Sequence, residues 1–258
     1  MRVLVTGAAG YVGRQITPAL EREHELVLAD IRPIAGDARY IPLDLIDAVA
    51  VRRAVAGVDA VLHLATASGF EGAVEDDAAN RQRFAVNVEG TYHLLQAAAA
   101  AGVRRVVHTS SIMVTWGYLS QRQAGQPPML IAGDAPPKPV GTYAVTKALG
   151  ESLCRHFAES AGLSIVCLRI AKPVALDDPY WRGRPIRPQT LPFPDLAQAY
   201  AKALTVPNIG FEVVTVVGDS SRPTWDLSRA KEVLDYQPTI RLEDHGFTLG
   251  DVLEPVEF

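Results

Sequence analysis

Apolar and polar positions alternate along most of the chain in a repeated strand and helix pattern. Short apolar runs predict strands at residues 2–6, 25–29, 39–41, 60–64, 104–109, 163–169 and 211–217. Stretches with an apolar residue every three or four positions predict helices at residues 10–22, 48–56, 81–101, 142–161, 195–204 and 226–234. Strands that alternate with helices are typical of an α/β fold, in which right-handed crossovers produce a doubly wound parallel sheet.

The pattern changes after Arg169, where prolines become frequent and no periodicity is visible. The prolines of this segment are Pro173, Pro179, Pro185, Pro188, Pro192 and Pro194. Because proline lacks a backbone N–H, it interrupts helices and central strands. We therefore expect a main sheet domain at residues 1–170 and a small lobe at residues 171–258 that partly returns to the sheet, so that both form one compact unit.

Composition narrows the classes of protein to which the chain can belong. Its 258 residues, 48% hydrophobic and 21% charged, are typical of a folded globular protein, and no apolar run approaches the ~20 residues of a membrane span. A formal net charge of −4 provides no basic surface for nucleic acid. The first strand follows Met1 directly, and Cys154 and Cys167 stand in a helix and a strand rather than in a disulfide framework. We expect a cytoplasmic protein that binds neither membranes nor nucleic acid.

A glycine-rich turn connects the first predicted strand to the first predicted helix. Gly7, Gly10 and Gly13 recur at intervals of three residues, and Tyr11 and Val12 lie between the last two. Glycine at these positions permits a tight turn, brings phosphates close to backbone N–H groups and lets the helix pack on the sheet. The N-terminus of the helix also attracts anions. The turn therefore predicts a Rossmann-type dinucleotide site that involves these residues.

Asp30 stands at the end of the second strand, 17 residues after Gly13. A carboxylate there can accept hydrogen bonds from the adenosine ribose hydroxyls and repels the 2′-phosphate of NADP, so it favours NAD as the cofactor. Arg32 is close enough in sequence to offset part of that repulsion. An alternative interpretation of Asp30 is an ordinary turn residue at a strand end.

Tyr143 and Lys147 are four residues apart at the start of a long predicted helix, so their side chains share one face. A phenol has a pKa of about 10, which must fall by roughly 3 units for the group to act as a base near neutral pH. The ammonium of Lys147 and a cationic nicotinamide ring can lower it. The spacing therefore indicates a proton-transfer pair, although a buried aromatic residue followed by a solvated lysine would show the same pattern.

These features together resemble the extended short-chain dehydrogenase/reductase family, which includes the NAD-dependent epimerases and dehydratases. The resemblance covers about the first 170 residues, includes the segment Asn87-Val88-Glu89-Gly90-Thr91, and points most to the small uronate-dehydrogenase-type members. It implies NAD as the cofactor. The further NAD contacts that it implies come from Asp44, Leu45, Leu64, Ala65, Asn87, Tyr143, Lys147 and Ile170.

The family places a catalytic serine or threonine last in a hydroxyl-rich strand end, and this chain has Thr109-Ser110-Ser111 there. The resemblance implies that Ser111 orients the substrate oxygen. It also implies that Tyr143 is the base, while Lys147 lowers its pKa and holds the nicotinamide ribose. Ser110 remains an alternative to Ser111, and hydroxyl clusters also occur as plain strand-end caps.

The resemblance further implies a substrate site. Its residues are Ser68, Ser111, Ile112, Met113, Tyr143 and Arg182. Uronate dehydrogenases carry an Asn-His pair where this chain has Ile112 and Met113, and apolar residues cannot donate hydrogen bonds to sugar hydroxyls. The pair therefore favours a less polar substrate, or one held by other groups. Arg182 lies near Arg184 and Arg187, where a guanidinium group can hold a carboxylate through two hydrogen bonds. The alternative for these arginines is a solvated basic strip.

The predicted activity is transfer of a hydride from a hydroxyl group of a small polar or sugar-acid-like molecule to NAD. Two alternatives remain open, namely an epimerase or dehydratase that retains NAD while acting on a sugar or nucleotide-sugar, and a non-catalytic protein that senses dinucleotides. No metal site is expected, because the histidines and cysteines lack ligand spacing. The resemblance implies a homodimer through the helices at residues 81–101 and 142–161. The loop at residues 121–139 is longer than the family pattern, and we expect it to shape the pocket.

Overall fold

A parallel sheet forms the centre of the molecule. The computed structural model describes residues 1–67, 75–120, 130–181 and 183–251. The strands in this part of the chain are β1 (Arg2–Thr6), β2 (Glu25–Asp30), β3 (Tyr40–Pro42), β4 (Ala60–His63), β5 (Arg105–Ser111), β6 (Ile165–Ile170), β7 (Pro173–Val174), β8 (Leu191–Pro192) and β9 (Phe211–Val216). They pair in the order β3-β2-β1-β4-β5-β6-β9, while β7 and β8 pair separately. The order reverses at β1, so the predicted doubly wound α/β fold is confirmed.

Helices cover both faces of the sheet. They are α1 (Tyr11–Leu20), α2 (Ala48–Ala54), α3 (Asp77–Phe84), α4 (Thr91–Ala100), α5 (Gly117–Ser120), α6 (Thr142–Ala161), α7 (Phe193–Thr205) and α8 (Ser228–Leu234). Helices α1, α7 and α8 contribute to the apolar core on one face, and α2, α4 and α6 contribute to the core on the other. None of the helices in the described ranges combines the length and apolarity that a membrane crossing requires.

The central strands are apolar on both sides because both faces of the sheet are covered. In β1, Val3 and Val5 pack into one core, whereas Leu4 packs into the other. All three are fully buried. Continuous apolar runs of this kind are typical of parallel strands between two helical layers. This is why short apolar segments in the sequence located the strands well.

Two helices begin earlier than the sequence predicted. The helix predicted at 81–101 begins at Asp77, because the carboxylate of Asp76 accepts the N–H of Ala79 at 2.9 Å and caps it, and it contains a π-helical turn at Ala85–Gly90. The helix predicted at 195–204 begins at Phe193. Pro194 lies in its first turn, where the backbone N–H has no helical acceptor in any case.

The segment after β6 forms a small lobe beside the carboxyl edge, the edge at which the parallel strands end. Val174, Ile186 and Leu242 form its own buried cluster, and Ile186 makes a β-bridge with Leu249. Strand β9 pairs with β6 in parallel, so the chain returns to the main sheet after the first part of the lobe. The domain division at residue 170 stays a prediction.

Candidate active site

A cavity of about 1010 Å³ opens at the carboxyl edge, at the upper end of the ~300–1,000 Å³ range of small-molecule sites. Its described lining comes from the ends of β4, β5 and β6, the start of α6 and the lobe. The residues singled out from the sequence that line it are Val12, Leu64, Ser110, Ser111, Ile112, Met113, Tyr143, Lys147, Ile170, Arg184 and Arg187. Ser68 and Arg182 lie outside the described residues.

The glycine turn is so tight that a Cβ on Gly7 or on Gly13 would overlap neighbouring backbone atoms. Gly7 has a φ of +75°, and a Cβ on it would lie 2.6 Å from the backbone nitrogen of Ala65. A Cβ on Gly13 would lie 2.5 Å from the carbonyl oxygen of Ala8. Gly10 caps α1 without any side-chain hydrogen bond from the described residues, which leaves first-turn amides of the helix available to an anion. The turn therefore has the shape and polarity that a pyrophosphate requires.

The two residues after Gly10 point in different directions. Val12 lines the cavity. The ring of Tyr11 is about half exposed and meets the ring of Phe193 edge-on, at 5.0 Å between centroids. The contact joins the first turn of α1 to the first turn of α7. Tyr11 thus lies where the glycine turn faces the C-terminal part of the chain.

Asp30 stabilises the glycine turn through a hydrogen bond. One carboxylate oxygen accepts the N–H of Ala9 at 2.9 Å, and the other accepts the N–H of Arg32 at 2.9 Å. The guanidinium Nε of Arg32 lies 3.5 Å from the same carboxylate. Each carboxylate oxygen has two lone pairs, so Asp30 retains acceptor capacity for a ribose hydroxyl.

Asp44 and Leu45 follow β3 on the same side of the sheet as Asp30. The backbone N–H of Leu43 donates to the carbonyl of Asp30 at 3.0 Å, which holds this segment beside the second strand. Asp44 accepts the N–H of Ile46 through its side chain, and Leu45 is buried. Neither residue lines the cavity formed by the described residues, so a contact with NAD would involve its adenosine end.

Tyr143 lies in the first turn of α6 and faces the cavity. Burial raises the pKa of its phenol to about 12, while hydrogen bonds with Ser111 and Thr66 and the positive charge of Arg83 act to lower it. From the sequence we expected a lowered pKa. In the protein alone, desolvation outweighs the groups that stabilise the tyrosinate.

Lys147 lies one helical turn after Tyr143 and is buried. Its ammonium donates to the carbonyl of Thr109 at 2.9 Å and lies 5.9 Å from the centre of the Tyr143 ring. Burial lowers the pKa of Lys147 to about 8, so the group is still mainly protonated at neutral pH. The site therefore contains a fixed positive charge behind the phenol.

The two serines at the end of β5 have different partners. Ser110 donates to a carboxylate oxygen of Glu151 at 2.6 Å, away from the phenol. Ser111 hydrogen-bonds with Tyr143 and accepts the N–H of Met113 at 3.2 Å. Adjacent strand residues point to opposite faces, which explains the separation. Of the two candidates, Ser111 is the one beside the phenol.

A buried ion pair lies beneath the site and was not predicted as such. Arg169 donates to both carboxylate oxygens of Glu151, at 2.8 and 2.7 Å, and both side chains are nearly inaccessible. A third N–H of Arg169 donates to the carbonyl of Ala135 at 2.6 Å. The second part of the long 121–139 loop is thus fastened to the end of the sheet, while residues 121–129 lie outside the described ranges.

Asn87 fastens the segment after β4 to α6. Its side-chain oxygen accepts the N–H of Ala67 at 2.7 Å and the hydroxyl of Thr66 at 3.1 Å. Its side-chain nitrogen donates to the carbonyl of Ala67 and to the hydroxyl of Thr146, each at 3.1 Å. The residue lies in the π-helical turn, a distortion that is frequent at functional sites. A direct contact of Asn87 with NAD stays a prediction.

The sequence did not single out Thr66, which contacts both the phenol of Tyr143 and Asn87. Its only signal is position, because it follows Ala65 and precedes Ser68 in a segment already assigned to the site. A threonine in a loop has no distinctive spacing. Its role depends on the contact between the ends of two distant elements.

His63 continues the polar network towards the glycine turn. Its Nδ1 lies 2.7 Å from the hydroxyl oxygen of Thr6, and its Nε2 lies 3.0 Å from that of Thr91. The hydroxyl of Thr91 donates to the carbonyl of Asn87, so it must accept from Nε2–H, and Nδ1 must accept from Thr6. Burial, together with the charge of Lys147, lowers the pKa of His63 to about 3. The ring is therefore a neutral connector.

Glu75 caps the helix that carries Tyr143. One of its carboxylate oxygens accepts the N–H of Thr142 at 2.9 Å, and the other accepts the hydroxyl of the same residue. Gly141, just before the helix, has a φ of +82° and lies against this carboxylate. These hydrogen bonds lower the pKa of Glu75. No local sequence pattern announces a cap supplied from 67 residues away.

Cations on aromatic rings mark the lobe side of the cavity. Lys172 lies 4.9 Å from the centre of the Trp181 ring, and Arg184 lies 4.4 Å from that of Tyr180. All four residues line the cavity. Arg187 also lines it and lies over Trp116. The sequence had grouped Arg184 and Arg187 with Arg182.

Comparison with known proteins identifies the family and several relatives of this chain. Residues 3–220 match the model of the NAD dependent epimerase/dehydratase family. Uronate dehydrogenase from Pseudomonas syringae pv. tomato is 32% identical over 242 residues, which are 92% of this chain and 81% of the relative. L-arabinose 1-dehydrogenase (NAD(P)(+)) from Haloferax volcanii is 36% identical over 188 residues, 69% of each chain.

The fold is likewise similar to solved structures. A variant of uronate dehydrogenase from Agrobacterium tumefaciens, complexed with NAD, superimposes with a TM-score of 0.76 at 27% identity, over 94% of this chain and 86% of that one. The family resemblance stated from the glycine turn, Asn87, Tyr143 and Lys147 is therefore confirmed. The chain belongs to the NAD dependent epimerase/dehydratase family.

Proposed function

We propose that the chain is an NAD-dependent dehydrogenase that oxidises a hydroxyl group of a small polar or sugar-acid-like substrate. The observation that carries this proposal is the phenol of Tyr143, held between the hydroxyls of Ser111 and Thr66 at the wall of a cavity, with the ammonium of Lys147 behind it. Relatives named uronate dehydrogenase and L-arabinose 1-dehydrogenase support the same reaction class.

The residues around the glycine turn fit NAD. The positive φ of Gly7, the start of α1 without a side-chain cap from the described residues, and the remaining acceptor capacity of Asp30 fit a pyrophosphate and a ribose. We assign NAD binding to Gly7, Gly10, Tyr11, Val12, Gly13, Asp30, Asp44, Leu45, Leu64, Ala65, Asn87, Tyr143, Lys147 and Ile170. When bound, NAD supplies the acceptor for a hydride and a positive charge that favours a tyrosinate.

Tyr143 acts as the base in this proposal. Its phenolate oxygen takes the proton of the substrate hydroxyl while the hydride leaves the carbon that carries it, so the alcohol becomes a carbonyl group. Ser111 accepts from the N–H of Met113 and hydrogen-bonds with the phenol of Tyr143, and in this proposal its hydroxyl proton turns to the substrate oxygen once a substrate lies beside the phenol. Lys147, fixed by the carbonyl of Thr109, stabilises the phenolate electrostatically.

Thr66 adds a hydroxyl that can serve Tyr143 in both protonation states. While Tyr143 is protonated, Thr66 donates to Asn87, and its oxygen can accept the phenol proton. Once Tyr143 has lost its proton, the Thr66 hydroxyl can rotate to donate to the phenolate. Asn87 would then still bind the N–H of Ala67.

Tyr143→Phe tests the proposal. We expect turnover, measured as NADH absorbance with a panel of hydroxy acids and sugar acids, to fall by about 10²–10⁴-fold because the proton acceptor is lost. NAD affinity, measured by calorimetry, should change little. Tyr92→Phe, on α4 and outside the cavity lining, is the matched control. Unchanged turnover in Tyr143→Phe would contradict the role of the phenol.

Two other activities predict different outcomes in the same assays. An epimerase or dehydratase that retains NAD would convert a sugar or nucleotide-sugar without net NADH, a possibility that the family description supports. A non-catalytic sensor would bind NAD, show no turnover with any substrate and change its affinity for a protein partner. Net NADH formation favours the dehydrogenase over both.

We further propose a cytoplasmic homodimer that binds no nucleic acid. Neighbouring helices carry large apolar side chains that are exposed. They are Phe84 on α3, Tyr92 on α4, and Val145 and Leu149 on α6. Burying them against a second copy would remove this surface from water. Sedimentation equilibrium tests the dimer, because Leu149→Glu should shift it towards monomer. Cell fractionation and a filter-binding assay with DNA test the other two statements.

A further inference from the structure

The wall beside the reacting groups is hydrocarbon. Ile112 and Trp116 belong to the buried core, and Met113 and Val140 pack against it while lining the cavity. They belong to the segments just after Ser111 and just before α6, and they line the same cavity as the phenol of Tyr143. A substrate whose hydroxyl reaches Tyr143 therefore lays its carbon skeleton along apolar side chains.

The polar groups of the described lining are largely committed to protein partners. Thr66 donates to Asn87 and Ser110 donates to Glu151. Gln189 is a lining amide whose oxygen is buried and has no hydrogen-bond partner among the described residues. This oxygen can accept one hydrogen bond from a substrate, but a sugar ring with several hydroxyl groups needs several such partners.

The opposite side of the cavity favours negative charge. Neither Lys172 nor Arg184 forms an ion pair with a carboxylate in the described part of the chain, and each lies instead on an aromatic ring. The carboxylate in the described lining is that of Glu75, which lies at the start of α6, where Thr142 donates to both of its oxygens. Within the described part of the chain, the lobe side thus presents two cations that form no ion pair.

We infer that the substrate is an alcohol with a hydrocarbon body and an oxyanion at its far end, rather than a polyhydroxylated sugar acid. The hydroxyl meets Tyr143 and Ser111, the body lies against Met113 and its neighbours, and the oxyanion faces Lys172 and Arg184. The inference rests on the proposed dehydrogenase function. The alcohol loses a hydride to NAD and a proton to Tyr143 and becomes a ketone, and the oxyanion is unchanged.

Three matched probe substrates test the hydrocarbon body and the oxyanion of the substrate separately. They are 4-hydroxycyclohexanecarboxylate, its methyl ester and D-galacturonate, and the measured quantity is kcat/KM for NADH formation. We expect the acid to exceed the ester and the uronate by about ten-fold or more each, the scale on which a pocket discriminates small changes. The corresponding 4-hydroxycyclohexyl phosphate shows whether carboxylate or phosphate is the preferred oxyanion.

Variants of Lys172 and Arg184 test whether these two cations cause the preference for an anionic substrate. Lys172→Gln combined with Arg184→Gln should raise KM for the acid by about ten-fold with little change in kcat, and should leave the ester unaffected, because an interaction remote from the reacting atoms contributes to uniform binding. Arg155→Gln is the control, since Arg155 also lies over an aromatic ring, Phe211, but not in the cavity lining. Added salt should raise KM for the acid only.

The outcomes separate this inference from the proposed function. If D-galacturonate is oxidised as well as the cyclohexane acid, the hydrocarbon body is wrong while the dehydrogenase stands. If the ester matches the acid, or the double variant does not alter KM, the oxyanion site is wrong. If none of the four probes yields NADH, the inference fails, and a sugar or sugar-acid panel then decides the fate of the proposed function.

Discussion

The two sides of the cavity are built in different ways. Around Tyr143, side chains are held by buried hydrogen bonds in two groups, one that joins Ser110 to the Glu151–Arg169 pair and one that joins Asn87 to Thr66 and the phenol. On the lobe side, Lys172 and Arg184 lie on the partly exposed rings of Trp181 and Tyr180. A proton acceptor must be held within a fraction of an ångström, whereas a charge that attracts an anion acts over a longer range. The difference suggests that the phenol side fixes the reaction and the lobe side selects the molecule.

If the phenol side depends on its buried network, removal of one partner of the ion pair should have the largest effect. Arg169→Met leaves the carboxylate of Glu151 buried without its cation, and we expect a loss of about 3–5 kcal/mol in the free energy of unfolding. Urea denaturation measures it. The double variant Arg169→Met with Glu151→Leu should recover much of this loss. A cost below about 1 kcal/mol for the single variant would show that the comparison is wrong.

A second test concerns Thr66, which joins the network to the reacting oxygen. Thr66→Ala removes a hydrogen bond that lowers the pKa of Tyr143, so the pH at which oxidation becomes half-maximal should rise by about one to two units. The activity at neutral pH falls accordingly, because less tyrosinate is present. Thr66→Ser should retain the original pH profile. A Thr66→Ala profile with lower activity but the same midpoint would indicate a purely structural role.

A third test uses the stability of the network in acid. Burial lowers the pKa of His63 from 6.5 to about 3, so the unfolded state binds the proton first as the pH falls. The contribution of the neutral His63 ring to the free energy of unfolding is therefore complete above pH 6.5 and decreases progressively towards pH 3. At pH 5 it has fallen by about 2 kcal/mol. His63→Gln should reduce the pH dependence of the urea midpoint between pH 7 and 5, and His108, whose pKa burial also lowers, accounts for part of what remains. His156→Gln, on the exposed surface of α6, should retain it.

The smallest effect on stability should come from the lobe side. Tyr180 is 55% exposed, and Tyr180→Ala should change the free energy of unfolding by no more than about 0.5 kcal/mol. It should still raise KM for an anionic substrate by roughly two- to five-fold, because Arg184 loses the ring on which it lies. Calorimetry and steady-state kinetics give the two numbers. A large loss of stability with an unchanged KM would reverse the assignment of the two sides.

The phenol side was largely predictable because its signals are local in sequence. Tyr143 and Lys147 belong to one helix, and the three glycines belong to one turn, so spacing alone brings each group together. The strands were found for a related reason, since burial on both faces leaves a continuous apolar run. What spacing could not provide was the sign of the Tyr143 pKa shift, which depends on how much protein surrounds the phenol.

The rest depends on contacts between distant segments. Glu75 reaches Thr142 across 67 residues, and the ring of Trp116 meets Arg187 across the cavity. Lys172 was not singled out, because a lysine after a strand has no pattern of its own. The lobe is also rich in prolines, whose positions report local breaks but not the partner against which a segment packs. Tertiary structure supplies that information.

The segment that carries Ser68 is fastened on both sides. Asn87 holds Ala67 before it, and Thr142, the first residue of α6, holds Glu75 after it, so the seven positions 68–74 stand between two anchored residues. For directed evolution these seven positions are a segment with two defined ends. A library confined to it leaves both anchors and their hydrogen bonds unchanged, and recombination with equally long segments from relatives should be tolerated at the same two joints.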